Sequence, residues 1–128
     1  MTEWSSAPAV RNPNMIFVFA DDQTLAILDN IDDVQRECEG IDVEENVYQF
    51  FDENGLRLEP EFIEENKKGT IIGSLGWVES GIFDLKKSHD FNTSTILEAL
   101  EKTVVLEANK YFDSLDEINE FLTNQGSQ

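Results

Sequence analysis

Val47-Tyr48-Gln49-Phe50-Phe51-Asp52-Glu53-Asn54-Gly55-Leu56-Arg57-Leu58-Glu59 sets a β-branched and aromatic run, a polar turn and an alternating apolar–charged run in direct succession. Asn-Gly is the strongest two-residue hairpin signal, because a type I′ turn needs positive φ at both central positions. The stretch predicts strands at about 46–52 and 56–62. Pro60 lacks an N–H, which places the second strand at an edge or ends it early.

Upstream, Met15 to Ala20 is a short apolar run closed by Asp21-Asp22-Gln23, with Leu25 to Leu28 as a return strand. Asn30 and Asp32 offer helix N-caps, and Asp32-Asp33 suits the positive end of a helix dipole. Ile31, Val34 and Cys38 keep a spacing of three and four, which makes one apolar face on a short helix. Gly40 is placed to end it in a left-handed conformation. Downstream, Lys67-Lys68-Gly69 reads as a basic turn. Thr70–Ile72 and Trp77-Val78 bracket Gly73–Gly76 as a bent or bulged strand, and Ile82 to Lys86 alternates as another.

The C-terminal third changes to a helical period. Thr95 with Glu98 and Ser114 with Glu117 fit capping boxes. Ile96, Leu97, Leu100 and Val104 form one stripe; Leu115, Ile118, Phe121 and Leu122 form a second. Val104-Val105-Leu106 reads as a helix end or a short strand. The fold class expected is α+β: a mostly antiparallel sheet of about five or six strands, one short helix after the first strands, and two C-terminal helices. The connections are too short for crossovers. Residues 14–124 form the domain, 1–13 a flexible arm containing Trp4, and 125–128 a tail.

The 128 residues include 27 Asp and Glu against 9 Lys and Arg, a net charge of -18. Residues 21–65 hold sixteen acids against Arg36 and Arg57, a net of −14 in that block alone. Phosphate binding needs clustered Lys and Arg, so nucleic acid is not an expected direct ligand, and an anionic membrane is disfavoured on the same ground. The longest apolar runs fall short of a bilayer span. The first 13 residues carry no basic start followed by an apolar stretch, so no secretory signal is expected. Cys38 is the sole cysteine, which excludes an intrachain disulfide and fits a reducing compartment. The localisation expected is cytoplasmic.

No enzyme signature competes with the charge. His89, the sole histidine, stands beside Asp90 without a nucleophile motif and reads as a loop residue. Cys38 reads as a buried structural thiol among acids. One Cys and one His exclude an ordinary zinc site from this chain alone. Asp52-Glu53-Asn54-Gly55 fails the calcium-loop pattern, because Phe50 stands where the first Asp belongs. Gly73–Gly76 is neither a P-loop nor a dinucleotide fingerprint. No cofactor or metal is expected.

The acidic block has two readings. One is a solvated surface that serves solubility, in a free-standing fold or a structural subunit. The other gathers Asp21, Asp22, Asp32, Asp33, Glu37, Glu39, Asp42, Glu44 and Glu45 at one end of the sheet as a face for a basic protein, with Tyr48 and Trp77 as aromatic anchors at its rim. A small enzyme working through a carboxylate pair or His89-Asp90 is the reading from another class.

The order of features is itself informative. A strand MIFVFADD leads into a short acidic helix ending Glu37-Cys38-Glu39-Gly40, then Ile41-Asp42-Val43, the hairpin Phe50-Phe51-Asp52-Glu53-Asn54-Gly55-Leu56, more strands and two helices. In architecture, size and charge, residues 14–123 resemble the small acidic α+β immunity proteins encoded beside bacterial polymorphic toxins. The resemblance implies a non-enzymatic role: binding and blocking a cognate toxin domain, often a basic nuclease.

Overall fold

Ile16-Phe17-Val18-Phe19-Ala20 forms strand β1 (Ile16–Ala20), and its first four residues are all buried. The run lacks alternation because β1 lies inside a sheet with apolar cover on both faces. The computed structural model describes residues 12–70, 76–79, 81–88 and 94–126, with the backbone alone at 68–70, 76–79, 94 and 125–126. In chain order the elements are β1, β2 (Thr24–Leu28), α1 (Ile31–Glu37), α2 (Gly40–Glu44), β3 (Tyr48–Phe51), β4 (Arg57–Glu64), β5 (Lys67–Thr70), β6 (Gly76–Glu79), β7 (Ile82–Lys87), α3 (Ser94–Glu101), β8 (Val105–Leu106) and α4 (Leu115–Gly126). The architecture is α+β. A six-stranded sheet runs β7-β4-β3-β1-β2-β8, and β5 pairs with β6 in a separate ribbon. All pairings are antiparallel except β2 with β8, where Thr24 faces Val105 and Leu25 faces Leu106.

Phe17 and Phe19 face one side with Leu25, Ile27 and Phe51; α3 and α4 cover them with Ile96, Leu100, Ile118 and Leu122. Ile16 and Val18 face the other with Phe50, Leu58 and Phe83; α1 and α2 cover these with Val34, Cys38 and Val43. Aromatic pairs knit each side: Phe19 meets Phe51 edge-on at 5.6 Å, and Phe50 lies 6.2 Å from Phe83.

The β3–β4 hairpin turns differently from its Asn-Gly signal. Gly55 N–H donates to Asp52 O (2.9 Å), Asp52 N–H donates to Leu56 O (2.8 Å), and Gly55 has φ 83 while Asn54 is not left-handed. That is a three-residue loop, a type I turn followed by a left-handed bulge residue. Asp52 explains the choice: its Oδ1 accepts from the N–H groups of both Asn54 and Leu56 (2.9 Å each), which holds the wider turn. The β1–β2 hairpin repeats the design. Gln23 N–H donates to Ala20 O (3.1 Å), and Gln23 takes the left-handed place with φ 70.

Other expectations need correcting. Gly40 does not close α1; it opens α2, because Cys38 and Glu39 are extended and restart the helix. The short helix is thus two. Pro60 does not end β4: past Leu58 the strand leaves β3 and pairs with β7 alone, so the missing N–H falls where one side is open. Residues 67–70 and 76–79 give two paired strands in place of a basic turn and one bent strand. Thr95 lies inside α3, which begins at Ser94, and Val104 leaves the apolar stripe to stand 66% exposed. Ser114 does cap α4, accepting from Glu117 N–H (3.2 Å), while Glu117 reaches one residue further back to Asp113 N–H (2.7 Å). The helix takes in the first two residues of the expected tail. Most of the expected arm lies outside the described residues, but Asn12 is anchored through Asp29 O (3.1 Å) and the Tyr111 hydroxyl (2.8 Å).

Candidate functional site

Asp21 and Asp22 form the tip of the β1–β2 hairpin. Asp21 N–H donates to Val47 O (2.9 Å), and Val47 N–H donates to Asp42 O (3.0 Å), so the tip is tied to α2 and to the start of β3. Tyr48 is the first residue of β3, opposite Ala20. Glu37 closes α1, Glu39 precedes α2, and Asp42, Glu44 and Glu45 lie on or just past α2. Seven of the nine acids expected together therefore share one end of the sheet.

Asp32 and Asp33 do not join them. They sit in the first turn of α1, which begins at the far end of β2 beside Asp29. There Asp33 pairs with Arg36, and Asp29 pairs with Lys110 (3.0 Å) while accepting from the Tyr111 hydroxyl. Glu107 enters from sequence-distant β8: its N–H donates to Leu25 O (2.9 Å), which brings it beside Cys38. No local signal marks Glu107, because its place depends on β8 pairing with β2. Trp77 has its backbone in β6, and its side chain lies outside the described residues, as do His89 and Asp90.

Counter-charge is distributed unevenly. The described ion pairs engage Asp29, Asp33, Asp52, Glu59 and Glu61. Among the described residues, none engages Asp21, Asp22, Glu37, Glu39, Asp42, Glu44, Glu45 or Glu107. Two of these acids accept neutral hydrogen bonds, Asp22 from Thr24 N–H (3.1 Å) and Glu44 from the Asn66 amide (2.7 Å). The local field reaches the neighbouring acids' surroundings: Tyr48 is pushed up to about 12 by burial first and then by surrounding charge, Asp42, Glu39 and Asp22 included. Cys38 is likewise pushed up to about 12 by burial and then by Glu37, Asp42 and Glu107, which keeps its thiol protonated and unreactive.

Asn66 fixes α2 in place. Its amide donates to Gly40 O (3.0 Å) and to Glu44, and its Oδ1 accepts from Gly81 N–H (2.8 Å). Two glycines make room for this clasp. A Cβ on residue 40 would lie 2.4 Å from Asn66 Oδ1, and one on residue 81 only 1.9 Å from Glu64 O. The acids of α2 therefore stand on a braced element.

Depressions flank this end. A cleft of about 370 Å³ on the α3 side includes Asp21, Gln23, Asn46 and Lys102. Gln23 and Asn46 (φ 62) are the left-handed non-glycine positions among the described residues. A smaller slot of about 100 Å³ lies on the α1 side beside Cys38 and Tyr48. Among the described residues, no group of three His, Cys, Asp or Glu side chains is arranged to hold a metal ion, and no helix is long and apolar enough to cross a membrane. Compared with models of known protein families, with curated proteins and with solved structures, the chain gives no significant match.

Proposed function

We propose that this protein is a non-enzymatic acidic binding protein that engages a basic protein partner through the end of the sheet carrying Asp21, Asp22, Glu37, Glu39, Asp42, Glu44 and Glu45. The partner class we favour is a cognate toxin domain, which this chain neutralises as an immunity protein in the cytoplasm. One observation carries the reading: these seven carboxylates gather at one end of the sheet with no ion-pair partner among the described residues, while every described ion pair lies elsewhere. Unscreened like charge opposes the compact state, so it is retained at a cost that a cationic surface would offset on binding. Such a field acts chiefly on association rate and partner choice, and Tyr48 at its centre supplies apolar contact.

The test is co-expression and binding with the product of the adjacent gene. The expected result is a toxic basic protein, neutralised by this chain, whose association slows as salt rises. Reversing Asp42, Glu44 and Glu45 to lysine should slow association about tenfold at low salt. Reversing Asp32 and Asp33 should have a smaller effect. A rate that ignores both salt and the α2 reversal removes the electrostatic reading; a harmless or non-binding neighbour removes the immunity role.

A further inference from the structure

On the α1 side of the sheet, β1 and β2 change character toward the acidic end. Ile16 and Leu28 face each other at one end and Val18 faces Ala26, with Ala20 and Thr24 beyond them at the hairpin end. Small side chains at Ala20, Thr24 and Ala26 leave room that α1 and α2 do not fill, and the slot of about 100 Å³ is that room. Its rim is charged from two sides: Glu37 at the end of α1 and Glu107 just past β8, both exposed. Tyr48 forms a third wall, and its hydroxyl has no hydrogen-bond partner among the described residues. Beside Glu107, Val105 stands opposite Thr24 on β2 and is 52% exposed.

We infer that this slot receives a lysine side chain of the basic partner, its aliphatic stem on Val18 and Ala26 and its ammonium between Glu37, Glu107 and Tyr48. The inference rests on the acidic-end reading above and names the contact that reading leaves open. An apolar floor with carboxylates at the mouth matches a side chain that is apolar along its stem and cationic at its tip. The volume accommodates one extended chain. An aromatic ring beside the mouth adds attraction for a cation, and exposed Val105 offers apolar contact to whatever flanks the lysine. Two carboxylates from separate elements also discriminate against an acidic or neutral side chain, which would leave them desolvated and unpaired.

The experiment uses the full chain and a lysine–glycine repeat peptide, followed by amide chemical shifts at about 20 mM salt. The expected result is shifts at Ala26, Cys38 and Glu107, and loss of binding when the lysines are acetylated. Ala26→Met, which fills the slot without changing charge, should weaken binding about threefold or more, and the pair Glu37→Gln and Glu107→Gln by a similar factor. Both glutamates are exposed, so that pair keeps the test decisive if Ala26→Met does not fold. Shifts confined to Asp21, Glu44 and Glu45, with unchanged affinity in Ala26→Met, would overturn the slot and leave the acidic-end reading standing. Absence of any binding would overturn the slot and remove the electrostatic basis of that reading as well. An arginine–glycine repeat giving larger shifts at Ala26 and Cys38 would overturn the choice of lysine.

Discussion

Gln23 holds in the β1–β2 hairpin the place that Gly55 holds in the β3–β4 hairpin: each is the last of three loop residues, left-handed, with φ 70 and 83. A side chain in that region costs about 1–2 kcal/mol, whereas glycine enters it freely but loses about 0.5–1 kcal/mol more chain entropy on folding. Gln23→Gly should therefore stabilise the fold by about 0.5–1 kcal/mol. Gly55→Ala should destabilise it by more than that, because its Cβ would also lie 3.1 Å from Leu122 and 3.2 Å from Ile96. Urea unfolding of both variants reads the opposite signs.

Asn66 is the next expected point of weakness. Asn66→Ala strands Gly81 N–H and frees α2 from its clasp, a loss of about 1–3 kcal/mol. Gly81→Ala should cost more, since a Cβ at 1.9 Å from Glu64 O forces backbone to move. Hydrogen exchange should show α2 amides opening faster in Asn66→Ala, with β1 amides changed only as global stability changes.

Asp52 is buried, holds the hairpin through Oδ1, and has its Oδ2 unpaired by any hydrogen bond, with Lys87 Nζ at 3.9 Å. Asp52→Ala should cost about 2 kcal/mol, because it orphans two turn N–H groups. Asp52→Asn keeps the accepting oxygen and removes a buried charge, so it should stay within about 0.5 kcal/mol of wild type. Thermal melts of the two variants separate the cap from the charge.

Alkali and acid should each loosen the protein, through different groups. Cys38 and Tyr48 ordinarily ionise at 9.0 and 10.0 and are held to about 12 in the fold. Raised values of this kind contribute stability that is whole below pH 9.0 and drains away as pH climbs toward about 12. Asp29 has the opposite sense: the Tyr111 hydroxyl, then Lys110, hold it below its ordinary 3.8. Its contribution is present above that value and is lost as pH falls through the lower one. Urea midpoints across pH should show both declines. Cys38→Ala should flatten the alkaline limb and Tyr111→Phe the acid limb.

Salt should stabilise the protein. Raising ionic strength from about 0.05 to 0.5 M shortens the screening length several-fold and weakens repulsion among the unpaired acids. Glu44→Gln with Glu45→Gln should raise the melting temperature at low salt and reduce its dependence on salt. A flat salt response in wild type would contradict repulsion among the unpaired acids as a destabilising term.

The strands and helices that carry their own period were readable from the residues. Phe50 and Phe51, Ile82 to Lys86, and the stripe Leu115–Leu122 follow local alternation or helical spacing. The contacts between distant parts were not. Asn54-Gly55 announces a hairpin, but its turn type depends on Asp52 folding back onto two N–H groups. Gly40 looks like a helix stop because its actual constraint, Asn66, lies far along the chain. The block of acids was visible as composition, yet its division between two ends follows from α1 running back along the sheet from the far end of β2, and no count of charges contains that.

The parallel pairing of β2 with β8 sets an order of events. Thr24 and Val105 are neighbours in the sheet although most of the chain lies between them. During synthesis β1 and β2 emerge early, and the outer edge of β2 stays open until the last third of the chain arrives. An apolar strand with unpaired backbone is a template for joining other chains. Asp21 and Asp22 stand exposed at the entrance to that strand, the position in which charged residues oppose edge-to-edge association. The same charges that face outward in the finished protein therefore lie beside the edge that is completed last.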